Sequence, residues 1–216
     1  MGVLKQEEAL FLVDDPLLEE IVSEGIIRSY PKKSVLINEG DEGNSVYIIL
    51  SGRLKVYTSD ESGKELVLAF CGPGDIVGEM ALDGARRCAT VITAEPSRCC
   101  VIPHVRFRDR IHSDPDLAMR LITRLIRRSR TATKVAKDLA LASVYSRVVR
   151  LLNDLAVPGV DDCLVIGEYL SQQDIAHRVG SSRDMVNKIF KELVRGSYIS
   201  VQKREITLLK KLPANW

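Results

Sequence analysis

Arg183, Asp184, Asn187 and Lys188 fall on one face of a helical pattern whose other face carries Val186, Ile189, Phe190 and Leu193. The chemistry such a face can do is reading a base edge. A guanidinium fork donates two parallel hydrogen bonds that match guanine O6 and N7, and a carboxylate accepts from cytosine N4. Asn187 and Lys188 lie one turn further along the same face. Ser181 or Ser182 can cap this helix, because a hydroxyl accepts from the free N–H groups of the first turn. Upstream, Ser171 can cap a helix that turns Ile175 and Val179 inward, and Gly180 suits the turn between the two. Gln172 and Gln173, with the amides at that helix start, suit phosphate oxygens, contacts that fix register without reading sequence. A charged stripe alone is usually a solvated face, and Asp184 could serve only a capping box with Ser181. The order cap, turn, cap points instead to a helix-turn-helix. After Arg195-Gly196-Ser197, Tyr198–Val201 and Glu205–Leu208 flank Gln202-Lys203-Arg204 as the hairpin of a wing.

These residues occupy the last third of a 216-residue, 24.0 kDa chain that is 45% hydrophobic, 28% charged and of net charge +2. The composition is that of a globular protein and excludes a uniformly basic nucleic-acid coat. The charge is unevenly spread. Residues 1–111 carry −5, residues 112–142 carry +4 and residues 143–216 carry +3, which suggests three jobs and supplies the domain boundaries used below.

The acidic segment, residues 1–111, reads as β. Val35–Ile37, Val46–Leu50, Leu54–Tyr57 and Leu66–Phe70 are short β-prone runs separated by turn signals at Gly40, Gly52, Gly63 and Gly72-Pro73-Gly74. A second set runs from Ala89–Ile92 to Cys99–Ile102. Short strands at such spacing argue for a barrel or sandwich. Residues 112–142 read as one long helix, with no Gly or Pro between Asp116 and Val157. Leu121, Leu125, Arg128, Ala132, Val135, Leu139 and Ala142 alternate at spacings of four and three, a heptad seam. Such a stripe also arises when a helix packs on its own domain. Length favours a paired helix, since about 25 residues extend roughly 37 Å. Arg128 within the seam needs an anionic partner.

The five cysteines, Cys71, Cys88, Cys99, Cys100 and Cys163, contain no C-x-x-C. They indicate reduced thiols in a cytoplasm rather than a disulfide scaffold or metal site. Alternation along the strand is expected to bury one of Cys99 and Cys100. The acidic start MGVLKQEEALFLVDD lacks the basic and long apolar regions of a secretory leader, and no run is long enough to span a membrane. His104, His112 and His177 show no ligand spacing, and no nucleophile–base pair suggests an enzyme.

With these motifs in hand, the chain resembles the bacterial cyclic-AMP receptor protein/FNR family of transcription factors over nearly its whole length. The resemblance is carried by Tyr30-Pro31-Lys32-Lys33-Ser34, Gly40-Asp41, Leu50-Ser51-Gly52, Gly74–Leu82, Arg87–Val91, Ser171–Ala176 and Gly180–Val186. It implies an α+β protein with three parts. Residues 1–111 would form a double-stranded β-helix (jelly-roll-like) cyclic-nucleotide-binding domain. Residues 112–142 would form a dimerisation helix using Leu121, Leu125, Ala132, Val135 and Leu139. Residues 143–216 would form a winged helix-turn-helix, reading DNA with Gln172, Gln173, Ser182, Arg183, Asp184, Asn187 and Lys188.

The family's phosphate-binding cassette maps onto Gly78, Glu79 and Met80 before a short helix and Arg87, Cys88 and Ala89 after it. Amides at a helix start and a guanidinium suit a cyclic phosphate, and Glu79 suits a ribose 2′-hydroxyl. Arg128 and Thr133 of the long helix would complete the ligand site. Cys88 replaces the usual Ser, and the stretch from Glu79 to Arg87 is about one residue shorter than in many relatives. The expected ligand is cyclic AMP, with no metal. The expected partners are a palindromic duplex, a second copy of the chain and RNA polymerase, the last met through a loop that could include Pro158–Asp162. Within the family, another effector (cyclic di-GMP, a redox or haem signal) or none remains open; outside it, so does a nucleotide-binding regulatory module that does not touch DNA. The absence of any cysteine before Cys71 opposes the iron–sulfur branch.

Overall fold

A computed structural model of the chain describes residues 16–159, 163–202 and 205–213. The wing-tip residues Lys203 and Arg204 and most of the proposed polymerase-facing stretch, Val160–Asp162, lie outside the described residues. Contacts divide the chain into two compact units. One takes residues up to Asp60 and Val67–Ser129; the other takes Glu61–Leu66 and everything from Arg130.

The first unit is built on two four-stranded sheets. Its strands are β1 (Ile26–Tyr30), β2 (Val35–Ile37), β3 (Ser45–Ser51), β4 (Leu54–Ser59), β5 (Glu65–Cys71, whose first two residues count with the second unit), β6 (Ile76–Val77), β7 (Thr90–Thr93) and β8 (Ser97–Pro103). One sheet runs β1-β8-β3-β6 and the other β2-β7-β4-β5. Period-two alternation directs Ile37, Ile49, Leu54, Val77, Val91 and Cys99 into the space between them. The outer face of the first sheet is covered as well. Val46, Ile48, Leu50, Cys100 and Ile102 pack there against Ile21 and Val22 of α1 (Pro16–Ser23), Phe107 of α2 (His104–Ser113), and Leu117 and Leu121 of α3 (Pro115–Leu141). Cys99 and Cys100, on opposite faces of β8, are therefore both fully buried. The expectation that only one would be buried fails because both faces of β8 are covered here, one by the second sheet and one by helices.

α3 is the long helix. Its N-terminal half turns Leu117 and Leu121 into the core while Met119, Ile122, Leu125 and Ile126 stay exposed. Leu121 therefore does not join an exposed seam. The packing of α3 on its own sheet claims that heptad position, and the exposed apolar stripe is offset towards Ile122 and Ile126. Ala132, Thr133 and Leu139 are exposed further along, and Val135 is half-buried.

The second unit holds α4 (Val144–Leu155), β9 (Ala156–Pro158), β10 (Leu164–Ile166), α5 (Gln172–Val179), α6 (Arg183–Arg195), β11 (Ile199–Gln202) and β12 (Glu205–Leu208). The strands form one sheet in the order β11-β12-β10-β9. Val148, Leu152, Ile175, Val186, Leu193 and Ile199 make its core. Arg147 joins the helix ends: its guanidinium donates to the carbonyls of Ala142 (2.8 Å) and Val179 (2.9 Å), where helix C-termini leave carbonyls without partners. Ser171 and Asp174 form a full capping box at the start of α5. Burial raises the Asp174 carboxyl, but hydrogen bonds from Ser171 outweigh it and hold the group below the ordinary carboxylate range. Gly180 ends α5 at φ 63°, a left-handed conformation that a side chain opposes.

Leu152 is fully buried in this core. Leu152→Ala should cost about 2–5 kcal/mol, whereas truncating half-exposed Leu209 should cost within about 0.5 kcal/mol. Urea unfolding followed by circular dichroism measures both.

Candidate functional site

In the first unit the backbone leaves β6 through Gly78, at φ 88°, into a short 3₁₀ helix, Glu79–Asp83. A side chain at Gly78 would be strained, and its Cβ would lie 2.6 Å from Arg87 Nη1. That space is needed because Arg87 donates to the carbonyl of Gly78 (2.7 Å) and to that of Ser45 (2.6 Å). The guanidinium is buried, with two of its five N–H groups engaged by these bonds. The backbone of Arg87 is fixed too, its N–H donating to Asp41 and its carbonyl accepting from Gly40.

Glu79 faces the same space with its side chain 2% exposed. One oxygen, Oε1, receives Arg128 Nη1 of α3. The other, Oε2, is buried and has no hydrogen-bond partner among the described residues. Arg128 Nη2 donates to the carbonyl of Ile76 at 2.5 Å. A buried carboxylate oxygen without a donor is costly, and a ligand hydroxyl would satisfy it. Gly78, Glu79, Met80, Arg87, Cys88, Ala89 and Arg128 thus line one cavity, together with Ile37, Val56, Val77, Ala81 and Val91. The cavity measures about 60 Å³, far below the roughly 300–1,000 Å³ usual for small-molecule pockets, and the Arg128–Glu79 pair forms part of its lining. Arg128 came from the sequence as a misfit in a seam; the structure supplies its anion. Met80 and Cys88 sit at the rim, both exposed, with their sulfurs 3.5 Å apart. Thr133 is exposed on α3 within the second unit.

In the second unit Ser182 caps α6 by accepting from the Met185 N–H. Val186, Ile189, Phe190 and Leu193 face the core, and Arg183, Asp184 and Lys188 are exposed. Asn187 is half-buried and accepts from Gln172 Nε2 at 3.4 Å, tying the first helix to the second. Gln173 is exposed and bonds His177 Nε2 at 2.5 Å, while His177 Nδ1 meets Glu65 Oε2 at 3.2 Å. Sequence reasoning missed Glu65 and His177. Their separation along the chain hides the contact, although a histidine four residues after a helix-start glutamine was a usable signal.

Comparison with known proteins assigns two stretches of the chain to known domain families. Residues 27–114 match the cyclic nucleotide-binding domain, and residues 146–212 match the Crp-like helix-turn-helix domain. The chain thus joins a domain of the cyclic nucleotide-binding type to one of the Crp-like helix-turn-helix type. The chain is 32% identical over 200 residues to the cAMP-activated global transcriptional regulator CRP of Salmonella typhimurium, covering 90% of this chain and 94% of that one. It is similar in structure to CLP, a c-di-GMP responsive global regulator of Xanthomonas campestris (TM-score 0.81, 25% identity, covering 90% and 98% of the two chains). A CRP/FNR-family regulator of Thermus thermophilus aligns at TM-score 0.71 and 27% identity, covering 85% and 93%. The chain belongs to the Crp/Fnr family of transcriptional regulators, a family of regulators rather than enzymes. No helix among the described residues is long and apolar enough to cross a membrane.

The thiols differ sharply in environment. Burial pushes Cys71 up to about 11 and both Cys99 and Cys100 up to about 12. Their protonated forms are favoured by folding, a contribution present below the unfolded value and lost as pH rises towards these folded values. A thiolate-specific reagent at about pH 8 should label exposed Cys88 first and leave Cys71, Cys99 and Cys100 unreacted until denaturant is added; mass spectrometry of peptides identifies the sites.

Proposed function

We propose that the protein is a homodimeric, sequence-specific transcriptional regulator whose DNA affinity is set by a cyclic nucleotide held between Glu79 and Arg87. The observation that carries this reading is the buried Glu79 Oε2, without a hydrogen-bond partner among the described residues, whose chemistry suits accepting from a ribose 2′-hydroxyl. Arg87 and the amides following Gly78 are the groups for the cyclic phosphate. The relative at 32% identity is cAMP-activated, which makes cyclic AMP the first ligand to test. A nucleotide fits only if Arg128 gives up its place between Glu79 and the Ile76 carbonyl. That requirement supports control of α3: a ligand that displaces Arg128 has different affinity for two positions of the helix, and only such a difference shifts an equilibrium.

In the dimer, the exposed apolar residues Met119, Ile122, Leu125 and Ile126 of α3 meet their counterparts, and Ala132 allows close approach. Two α6 helices then enter successive major grooves about 34–36 Å apart on a palindrome. Arg183 and Asp184 read base edges, while Ser182, Asn187, Lys188, Gln172 and Gln173 hold backbone and register. RNA polymerase is the further partner such a regulator needs.

A second ligand, cyclic di-GMP, is favoured by the structural likeness to CLP, which is c-di-GMP responsive, and by Cys88, which lacks a hydroxyl for a phosphate. Calorimetry with cyclic AMP, cyclic GMP and cyclic di-GMP separates these. Cyclic AMP should bind the wild-type chain, and Glu79→Gln should weaken it at least about tenfold, one charge-assisted hydrogen bond. Binding of cyclic di-GMP alone replaces the ligand assignment, and heat from none of the three removes it. Leu125→Glu should convert the dimer to monomers in sedimentation; a dimeric variant would overturn the α3 pairing.

A further inference from the structure

We propose that His177, itself oriented by Glu65, is a positioning residue that aims the Gln173 carboxamide at the DNA backbone. The inference rests on the reading above, in which the start of α5 meets phosphates. Glu65, Gln173 and His177 all belong to the second compact unit. Their three groups form a chain: Gln173 Nε2 to His177 Nε2 at 2.5 Å, and His177 Nδ1 to Glu65 Oε2 at 3.2 Å. The histidine and glutamate side chains are only 19% and 24% exposed.

Each link constrains the next. An ionised carboxylate only accepts, so the imidazole carries its proton on Nδ1. In the neutral ring Nε2 is then a lone-pair acceptor, and Gln173 must present its NH₂ group to it. Reversing the carboxamide would set its carbonyl oxygen against that lone pair. One N–H is spent on the histidine, and the second, on the same nitrogen, remains for a phosphate oxygen, which also only accepts. Glu65 therefore selects, through the histidine tautomer, the end of Gln173 that DNA can use. The adjacent charged groups are engaged elsewhere: Asp174 in the capping box with Ser171, and Arg178 in two bonds to Glu168 at 2.6 and 3.0 Å.

The test uses the full chain and a fluorescent duplex of mixed sequence at fixed salt, because phosphate contacts do not depend on sequence. Gln173→Ala and His177→Ala should each weaken binding about three- to tenfold, the effect of one hydrogen bond. Glu65→Gln is the decisive variant. Removing a negative charge from a DNA-binding unit would ordinarily tighten binding; the relay requires a loss instead, and one that disappears in the Gln173→Ala background. Nitrogen-15 spectra of the imidazole should report the Nδ1–H tautomer at His177 in the wild type and its loss in Glu65→Gln. His177→Gln, which can set an amide near the place of Nε2, should retain more affinity than His177→Asn. Unchanged or tighter binding by Glu65→Gln, additivity with Gln173→Ala, or an Nε2–H tautomer in the wild type overturns the relay. If Gln173→Ala binds like wild type while Arg183→Ala loses its base preference on a selected operator, the relay alone falls. If the wild-type chain binds no duplex, the DNA reading falls with it.

Discussion

One ion pair, Arg128 with Glu79, ties the long helix to the pocket of the first unit. A carboxylate 2% exposed carries a desolvation penalty that its pairing must offset, and such pairs do so only when further hydrogen bonds satisfy the remaining groups. Here the arginine meets that condition better than the glutamate. Its second nitrogen reaches the Ile76 carbonyl, whereas one oxygen of Glu79 has no partner among the described residues. The pair also anchors α3 to the end of β6, because Arg128 is the helix residue and Ile76 the strand residue. A group that competes for Glu79 therefore acts on the helix directly.

That same helix carries three demands on two faces. Leu117 and Leu121 complete the core under the sheet, Arg128 reaches the pocket, and Met119, Ile122, Leu125 and Ile126 are left to solvent. At about 3.6 residues per turn, Leu117, Leu121 and Arg128 share one stripe at successive heights, while the exposed apolar residues occupy another. A heptad pattern read from sequence adds them together. This is why Leu121 and Arg128 entered the seam alongside Leu125: their spacing is right, and only the position of the sheet reveals that they face their own domain.

The legible parts of the molecule were those where local chemistry and tertiary structure agree. Ser171, Gly180 and Ser182 mark helix ends because their hydroxyls or missing Cβ solve problems within a few residues, and the structure uses them so. The alternating β runs announced strands for the same reason. What sequence could not carry was which faces would be covered. Cys99 and Cys100 are both buried because helices close the outer face of their sheet, a contact set by residues far along the chain. Glu79 and Arg87 were legible as a pair of motifs, but not the commitment of Arg87 to two backbone carbonyls, which no side-chain pattern encodes.

That commitment bears on how the pocket discriminates. Arg87 is oriented before any ligand arrives, held by Gly78 and Ser45 carbonyls and by the space a glycine leaves. Preorganisation of this kind removes the entropy cost of ordering a long side chain on binding. Arg128 is the opposite case, a cation already engaged with an internal anion, which the proposed ligand would have to displace. On the proposed reading, one guanidinium would favour any phosphate equally, while the other would penalise every occupant that fails to replace its contacts with Glu79. Selectivity among nucleotides should accordingly reside in what each offers to Glu79 and Arg128, since the phosphate interaction with Arg87 is common to all of them.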